Sequence, residues 1–164
     1  MIVLIQRVRS ASVEVDSKIV SSINRGLLVF VGVEKGDSEG DIDYLVKKVC
    51  QLRVFEDDMG KLNYSVKDIN GEVLVVSQFT LLADCRKGNR PSFDRAENPE
   101  RAKKLYETFI EKLKLAGIPV ASGIFGASMK VNLTNDGPVT IIVDSKRFGI
   151  KANLITSGKG LKSI

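Results

Sequence analysis

Three polar side chains, Ser77, Gln78 and Thr80, follow directly on Val73 to Val76, an aliphatic run behind an Asn70-Gly71 turn signal. The run predicts a buried strand. A buried polar group without a partner is destabilising, so two hydroxyls and an amide at the end of an interior strand belong where they can meet a ligand. Farther along, Asn135-Asp-Gly-Pro-Val-Thr140 stands between two strand-like runs and reads as a turn. There Gly137 can take positive φ and Pro138 fixes its own. Sequence alone favours a trans bond between them, since only about 5–6% of X-Pro bonds are cis. What is missing limits the chemistry: the chain contains no histidine. A Ser-His-Asp triad, a Cys-His dyad and a His-ligated metal are excluded. Proton transfer then falls to another group, to the substrate or to water.

The elements that must position these stretches can be read from hydrophobic spacing. Strands are predicted at Ile2–Val8, Ser12–Val15, Lys18–Ile23 and Gly26–Val33, a spacing that suggests an antiparallel meander with the last as a central strand. A helix starts near Ser38 as N-cap and buries Ile42, Leu45, Val46, Val49 and Leu52 on one face, with Cys50 beside it as a small core residue. Arg53–Phe55 reads as a short strand and Asp57–Gly60 as a solvated loop. After Val73–Val76 comes a long loop, Ala83–Arg95, whose Arg86, Lys87, Arg90 and Arg95 suit phosphates or solvent equally well. Asn98-Pro99-Glu100 starts a second helix, with Ala102, Leu105, Tyr106, Phe109 and Leu113 inward; Gly117 and Pro119 end it. Strands Met129–Leu133 and Val139–Val143 follow, joined by the turn at Asn135–Pro138. This order predicts an α/β or α+β domain with two helices covering a sheet.

Composition sets the outer bounds. A chain of 164 residues with 43% hydrophobic and 27% charged residues is expected to form one domain. No stretch approaches a membrane span, and the two cysteines, Cys50 and Cys85, suggest neither a disulfide framework nor a metal site. A cytoplasmic protein without metal or cofactor is expected. The net charge of +5 is local: Lys146, Arg147, Lys151, Lys159 and Lys162 lie within residues 145–164, which hold no acid, so the body carries 20 bases and 20 acids. Residues 1–144 therefore read as the domain and 145–164 as a basic tail with a disordered composition. One function class left open is a non-catalytic nucleic-acid-binding protein that uses this tail.

The motifs are similar to those of the D-aminoacyl-tRNA deacylase family. The resemblance rests on Ser77-Gln78-Phe79-Thr80 and Asn135–Thr140, supported by Leu4–Val8, Gly32-Val-Glu34 and Arg90-Pro-Ser-Phe93, in the family's order over residues 1–144. It implies a homodimeric three-layer β/β/α fold that hydrolyses the ester joining a D-amino acid, or glycine, to the terminal adenosine of tRNA, while sparing the L form. It implies a catalytic stretch of Ser77, Gln78, Phe79 and Thr80, and a cis Gly137-Pro138 bond whose carbonyls enter the partner's site. Arg7 is similar to the arginine that holds this loop, and Phe125 and Met129 to residues that line the pocket. Ile124 and Ser128 stand where the family commonly has Arg and Asp. Backbone N–H groups near Ser77–Thr80 can stabilise the oxyanion of ester hydrolysis. The tRNA 2′-hydroxyl assisting attack and Thr80 as a covalent nucleophile are the two competing mechanisms, the first favoured because no base stands beside Thr80 in the sequence pattern.

Overall fold

The computed structural model describes residues 1–149, and the side chains of residues 1–147. The elements are β1 (Ile2–Val15), β2 (Lys18–Ile23), β3 (Gly26–Gly32), α1 (Glu39–Gln51), β4 (Phe55–Glu56), β5 (Leu62–Tyr64), β6 (Glu72–Ser77), a short 3-10 helix (Phe79–Leu82), α2 (Pro99–Leu115), β7 (Val120–Ser122), β8 (Lys130–Asp144) and α3 (Ser145–Gly149). Across the described residues the fold is mixed α/β, with a near-barrel sheet and three α-helices.

β1 is the spine of the sheet. One edge pairs antiparallel with β8, from Ile2↔Asp144 to Glu14↔Lys130. The other edge is shared: Ile2–Val8 pairs with β3 and Ala11–Val15 with β2. β2 and β3 thus lie on the same neighbour rather than on each other, which corrects the meander. The two strands expected within residues 2–15 are one. Their apparent break, Arg9-Ser10, is exposed, but its backbone stays in register with β8 through Ser10↔Thr134. β3, β6 and β7 continue the sheet in parallel, with Val31 opposite Ser77 and Val75 opposite Ser122. A parallel step requires a crossover, and α1 with its following loops and α2 supply the two.

Both faces of this sheet are covered. Val3, Ile5, Leu27, Val29, Val73 and Val75 pack under α1 and α2. On the opposite face, Leu28, Leu74 and Val76 meet Val8, Ala11, Val13 and Ile23, so the far half of β1 and β2 curl over β3 and β6. That two-sided burial is why these strands read as continuous aliphatic runs.

The helix ends follow local chemistry. The Asp41 carboxylate accepts from the Ser38 N–H at 2.9 Å and from its hydroxyl at 3.0 Å. Asn98 Oδ1 accepts from the Arg101 N–H at 3.0 Å, Pro99 opens α2, and Gly117 follows it at φ 85°. The Asp57 loop is the predicted solvated turn, with Oδ1 accepting from the Met59 and Lys61 N–H groups at 2.9 Å. The buried α-amino group of Met1 donates to Asp37 Oδ1 at 2.6 Å and Ser145 Oγ at 2.9 Å. Ser145 therefore packs onto the body, while residues 150–164, most of the expected tail, lie outside the described residues. No helix among the described residues is long and apolar enough to cross a membrane.

Candidate functional site

Ligands of α/β sheets bind beyond the carboxyl ends of parallel strands, and β3, β6 and β7 all end on the same side. A cavity of about 480 Å³ opens there, within the size range of small-ligand sites. Val33 follows β3, Ser77 ends β6, Gln78 and Phe79 open the 3-10 helix, and Phe125 follows β7 in lining it; Pro99 and Ala102 of α2 and Met129 before β8 add to the wall. Ser77, Gln78, Phe79, Phe125 and Met129, which the family resemblance implies for the site, all line this cavity. The sequence did not find Glu97, whose signal is only its position beside a helix cap. That carboxylate is held below the usual range by the backbone N–H of Asn98, at 2.9 Å, and by the Arg101 guanidinium. It enters the site as an anion.

The 3-10 helix aims the polar stretch. Gln78 N–H still donates to Val31 O at 2.8 Å, continuing the sheet, and the chain then turns. Gly32 makes room for it: a Cβ there would meet Gln78 O at 3.2 Å and Leu81 Cβ at 3.3 Å. Gln78 occupies the N-cap position, yet its side chain caps nothing and donates instead to Thr80 Oγ1. The opening N–H groups of a helical turn have no intrahelical acceptor, and those of Phe79 and Thr80 have no side-chain cap. Thr80 itself is exposed and does not line the cavity. Tyr106, predicted as core, is buried; its hydroxyl donates to Val75 O at 2.9 Å and its ring lies 5.7 Å from Phe125.

Arg7, Gly137 and Pro138 form a second, separate group. The predicted turn at Asn135–Pro138 is a bulge inside β8: pairing runs from Gln6↔Thr140 to Val8↔Asn135, leaving Asp136 to Val139 opposite Arg7 alone. Turn residues satisfy either geometry, so sequence could not separate them. Arg7 is buried and fills the space behind the bulge, donating from Nε to Asp136 O and from Nη1 to Val54 O, each at 2.8 Å. Thr140 Oγ1 accepts from Asn135 Nδ2 at 2.9 Å, and Asn135 Oδ1 accepts from the Val139 N–H at 3.2 Å, which closes the base of the bulge. The Gly137-Pro138 bond is cis, and Gly137 has φ 131°. A Cβ on Gly137 would lie 2.8 Å from Arg7 Nη2. Gly137 and Pro138 are exposed and do not line the cavity of their own chain. Ile124 and Ser128 are exposed beside Phe125 and Met129. Among the described residues, no group of three or more His, Cys, Asp or Glu is placed to hold a metal ion.

The family model for D-Tyr-tRNA(Tyr) deacylase matches residues 4–144. The chain belongs to this deacylase family. It is 60% identical over 145 residues to the D-aminoacyl-tRNA deacylase of Aquifex aeolicus (strain VF5), covering 88% of this chain and 98% of that one. It is 53% identical over 146 residues to the D-aminoacyl-tRNA deacylase of Thermodesulfovibrio yellowstonii, covering 89% and 100%. Among solved structures, the c-Myc DNA unwinding element binding protein superposes with a TM-score of 0.84 at 42% identity, covering 88% of this chain and 98% of that one. A probable eukaryotic D-amino acid tRNA deacylase shares the fold at a TM-score of 0.75 and 17% identity, covering 87% and 97%. The deacylase match spans both groups of residues, the cavity and the bulge.

Proposed function

We propose that this chain is a D-aminoacyl-tRNA deacylase that frees tRNA from D-amino acids and from glycine in the cytoplasm, acting as a three-layer β/β/α homodimer. The observation that carries the reading is the division of the family motifs. Ser77, Gln78 and Phe79 line a cavity of nucleoside scale, whereas Gly137-Pro138 projects from a braced bulge outside it. In the dimer the bulge of one chain enters the cavity of the other. There its two carbonyls accept from the substrate α-amino group, and the space left is too small for an L side chain.

Water adds to the ester carbonyl, and the oxyanion that forms is met by the backbone N–H groups of Phe79 and Thr80. The carbon–oxygen bond to the ribose then breaks. The ribose oxygen takes the proton that the water gives up, passed through the neighbouring 2′-hydroxyl, and the amino acid leaves as a carboxylic acid that loses its remaining proton to solvent. Thr80 supports this geometry by accepting from Gln78. A nucleophilic role for it has less support, because its partner is an amide, which is no base.

The test is hydrolysis of matched D-Tyr-tRNA and L-Tyr-tRNA by the purified protein. Release from the D form alone is expected. Binding of tRNA without cleavage of either form would replace this reading with the non-catalytic nucleic-acid-binding one, and equal cleavage of both would remove the Gly137-Pro138 filter.

A further inference from the structure

The 3-10 helix has a second neighbour at its far end. Beyond Leu82 the chain forms a closed loop, pinned where Asp84 and Ser92 exchange backbone hydrogen bonds of 2.8 and 3.0 Å. Beside it lies a cavity of about 660 Å³ bordered by Ala83, Asp84, Cys85, Arg86, Arg95 and Arg147. Three arginines and one aspartate thus border the same hollow. Two of the arginines are held in place. Arg86 forks onto Asp84, from Nε at 2.9 Å and from Nη2 at 2.6 Å, and Arg95 donates from Nε to Glu34 Oε1 at 2.7 Å. A guanidinium has five N–H donors. Among the described residues the Nη groups of Arg95 make no hydrogen bond, so a fixed guanidinium keeps a fork of donors for another oxyanion. Arg147 comes from far along the chain, on α3. With about 2 Å of rise per residue in a 3-10 helix, Phe79 at the first cavity and Ala83 at the second stand roughly 8 Å apart. Phe79 is 55% exposed at the edge of the first cavity and lies edge-to-face with Phe93, ring centroids 5.0 Å apart. An exposed aromatic beside a basic hollow is the pattern of single-strand binding, where a base stacks and a phosphate is neutralised.

We propose that the Arg86–Arg95–Arg147 cavity holds a backbone phosphate of the unpaired 3′ strand of tRNA, while the Phe79–Phe93 pair carries the base just before the terminal adenosine. This rests on the preceding reading, in which that adenosine occupies the first cavity. The phosphate contact positions the strand and takes no part in the chemistry.

The experiment compares two substrates, D-Tyr-tRNA and D-tyrosyl-adenosine, which has no phosphate. In the double variant Arg86→Gln/Arg147→Gln, KM for D-Tyr-tRNA should rise about tenfold with kcat unchanged, and its salt dependence should become shallower by about one to two in log–log slope. Cleavage of D-tyrosyl-adenosine should match the parent. Equal losses on both substrates would mean a structural role, and no change on tRNA would mean no phosphate contact; either overturns the proposal. Failure of the unmodified protein on both substrates would instead overturn the preceding reading. A second measurement needs no variant. Cys85 is exposed in the cavity and Cys50 is buried. Uncharged tRNA should slow iodoacetamide labelling of Cys85 severalfold, and adenosine should not; labelling at the same rate with tRNA would also overturn the proposal.

Discussion

The cavity at the end of β6 and the bulge in β8 carry the two stretches that stand out in the sequence, and they are built in opposite ways. The cavity is concave and no single segment makes it. Five parts of the chain converge there, and Ser77 to Phe79 are displayed by parallel strands buried on both faces. The bulge is convex and local to one strand pair. Its residues are held from behind by one buried arginine, with Asn135 and Thr140 closing its base. Side chains around the cavity face the space where a ligand would sit. At the bulge, the side chains of Arg7 and Asn135 bond to the backbone and support it. A hollow can bind from its own chain, whereas a braced projection acts on whatever it is inserted into.

The comparison breaks most sharply at Gly137. Gly137→Ala puts a Cβ against Arg7 Nη2 in a backbone conformation that L residues rarely adopt. Displacing the bulge by about 1 Å should lower kcat/KM for D-Tyr-tRNA on the order of 100-fold, with the fold retained by circular dichroism. A parent-like rate would remove the bulge from the site. Mixing subunits sharpens the point. If the bulge acts in the partner's cavity, Gly137→Ala chains combined with inactive cavity variants should regain about a quarter of parental activity, through the half of the dimers that are mixed and carry one intact site. Mixtures as inactive as their parts would place both groups in one subunit's site.

Arg7→Ala leaves the carbonyls of Asp136 and Val54 without their donor. Such a loss should cost about 2–3 kcal/mol, read as a lower urea midpoint with activity falling in step. Asp37→Asn, at the buried ion pair with the Met1 α-amino group, should destabilise by a similar amount, about 3 kcal/mol, yet leave kcat alone. If the two variants affect activity equally, the bulge has no special role. Thr80→Ala is expected to reduce kcat less than tenfold, since removing one neutral hydrogen bond is worth only about 0.5–1.5 kcal/mol; a loss of several thousandfold would restore the nucleophile. The smallest effect concerns acid. For Glu34, burial opposes ionisation, but the hydrogen bond from Arg95 and the ion pair with Lys146 win and hold its carboxyl below the ordinary 4.5. For Asp41 burial is likewise outweighed, by bonds from Ser145 and Ser38, below 3.8. Folded values below the unfolded ones stabilise the protein fully above the unfolded values, and that contribution is lost as pH falls through the folded values. Urea midpoints should therefore hold level from about pH 8 to 5 and drop below about pH 4. A drop that begins above pH 5 would point to other groups.

Much of the fold was legible because its signals are local. Asn98, Pro99 and Gly117 mark the limits of α2 by capping chemistry that needs no distant partner. Val73–Val76 announces a strand buried on both faces. The misread elements all depend on partners far along the chain. β1 continues through exposed Arg9-Ser10 because β8 pairs with it there, and β2 and β3 lie on β1 because its two halves offer separate stretches of one edge. Asn135–Pro138 carries residues that suit a turn or a bulge equally, and the bulge results from Arg7 occupying the space behind it. In the basic loop, sequence could not weigh phosphate against solvent; Asp84 and Glu34 hold two of its arginines at the rim of a cavity that also includes Arg147.

By itself, then, the sequence determined which segments are buried, where α1 starts, where α2 starts and stops, and, through the absence of histidine, which kinds of catalysis are closed to this chain. These follow from side-chain polarity, backbone preference and chemical type, which are properties of residues and their near neighbours. Only the tertiary structure decided that Ser77, Phe125 and Met129 share a cavity while Arg7 and Gly137 stand outside it. Convergence of this kind is set by strand register and by the two crossovers that make β3, β6 and β7 parallel, and neither is encoded in any one stretch.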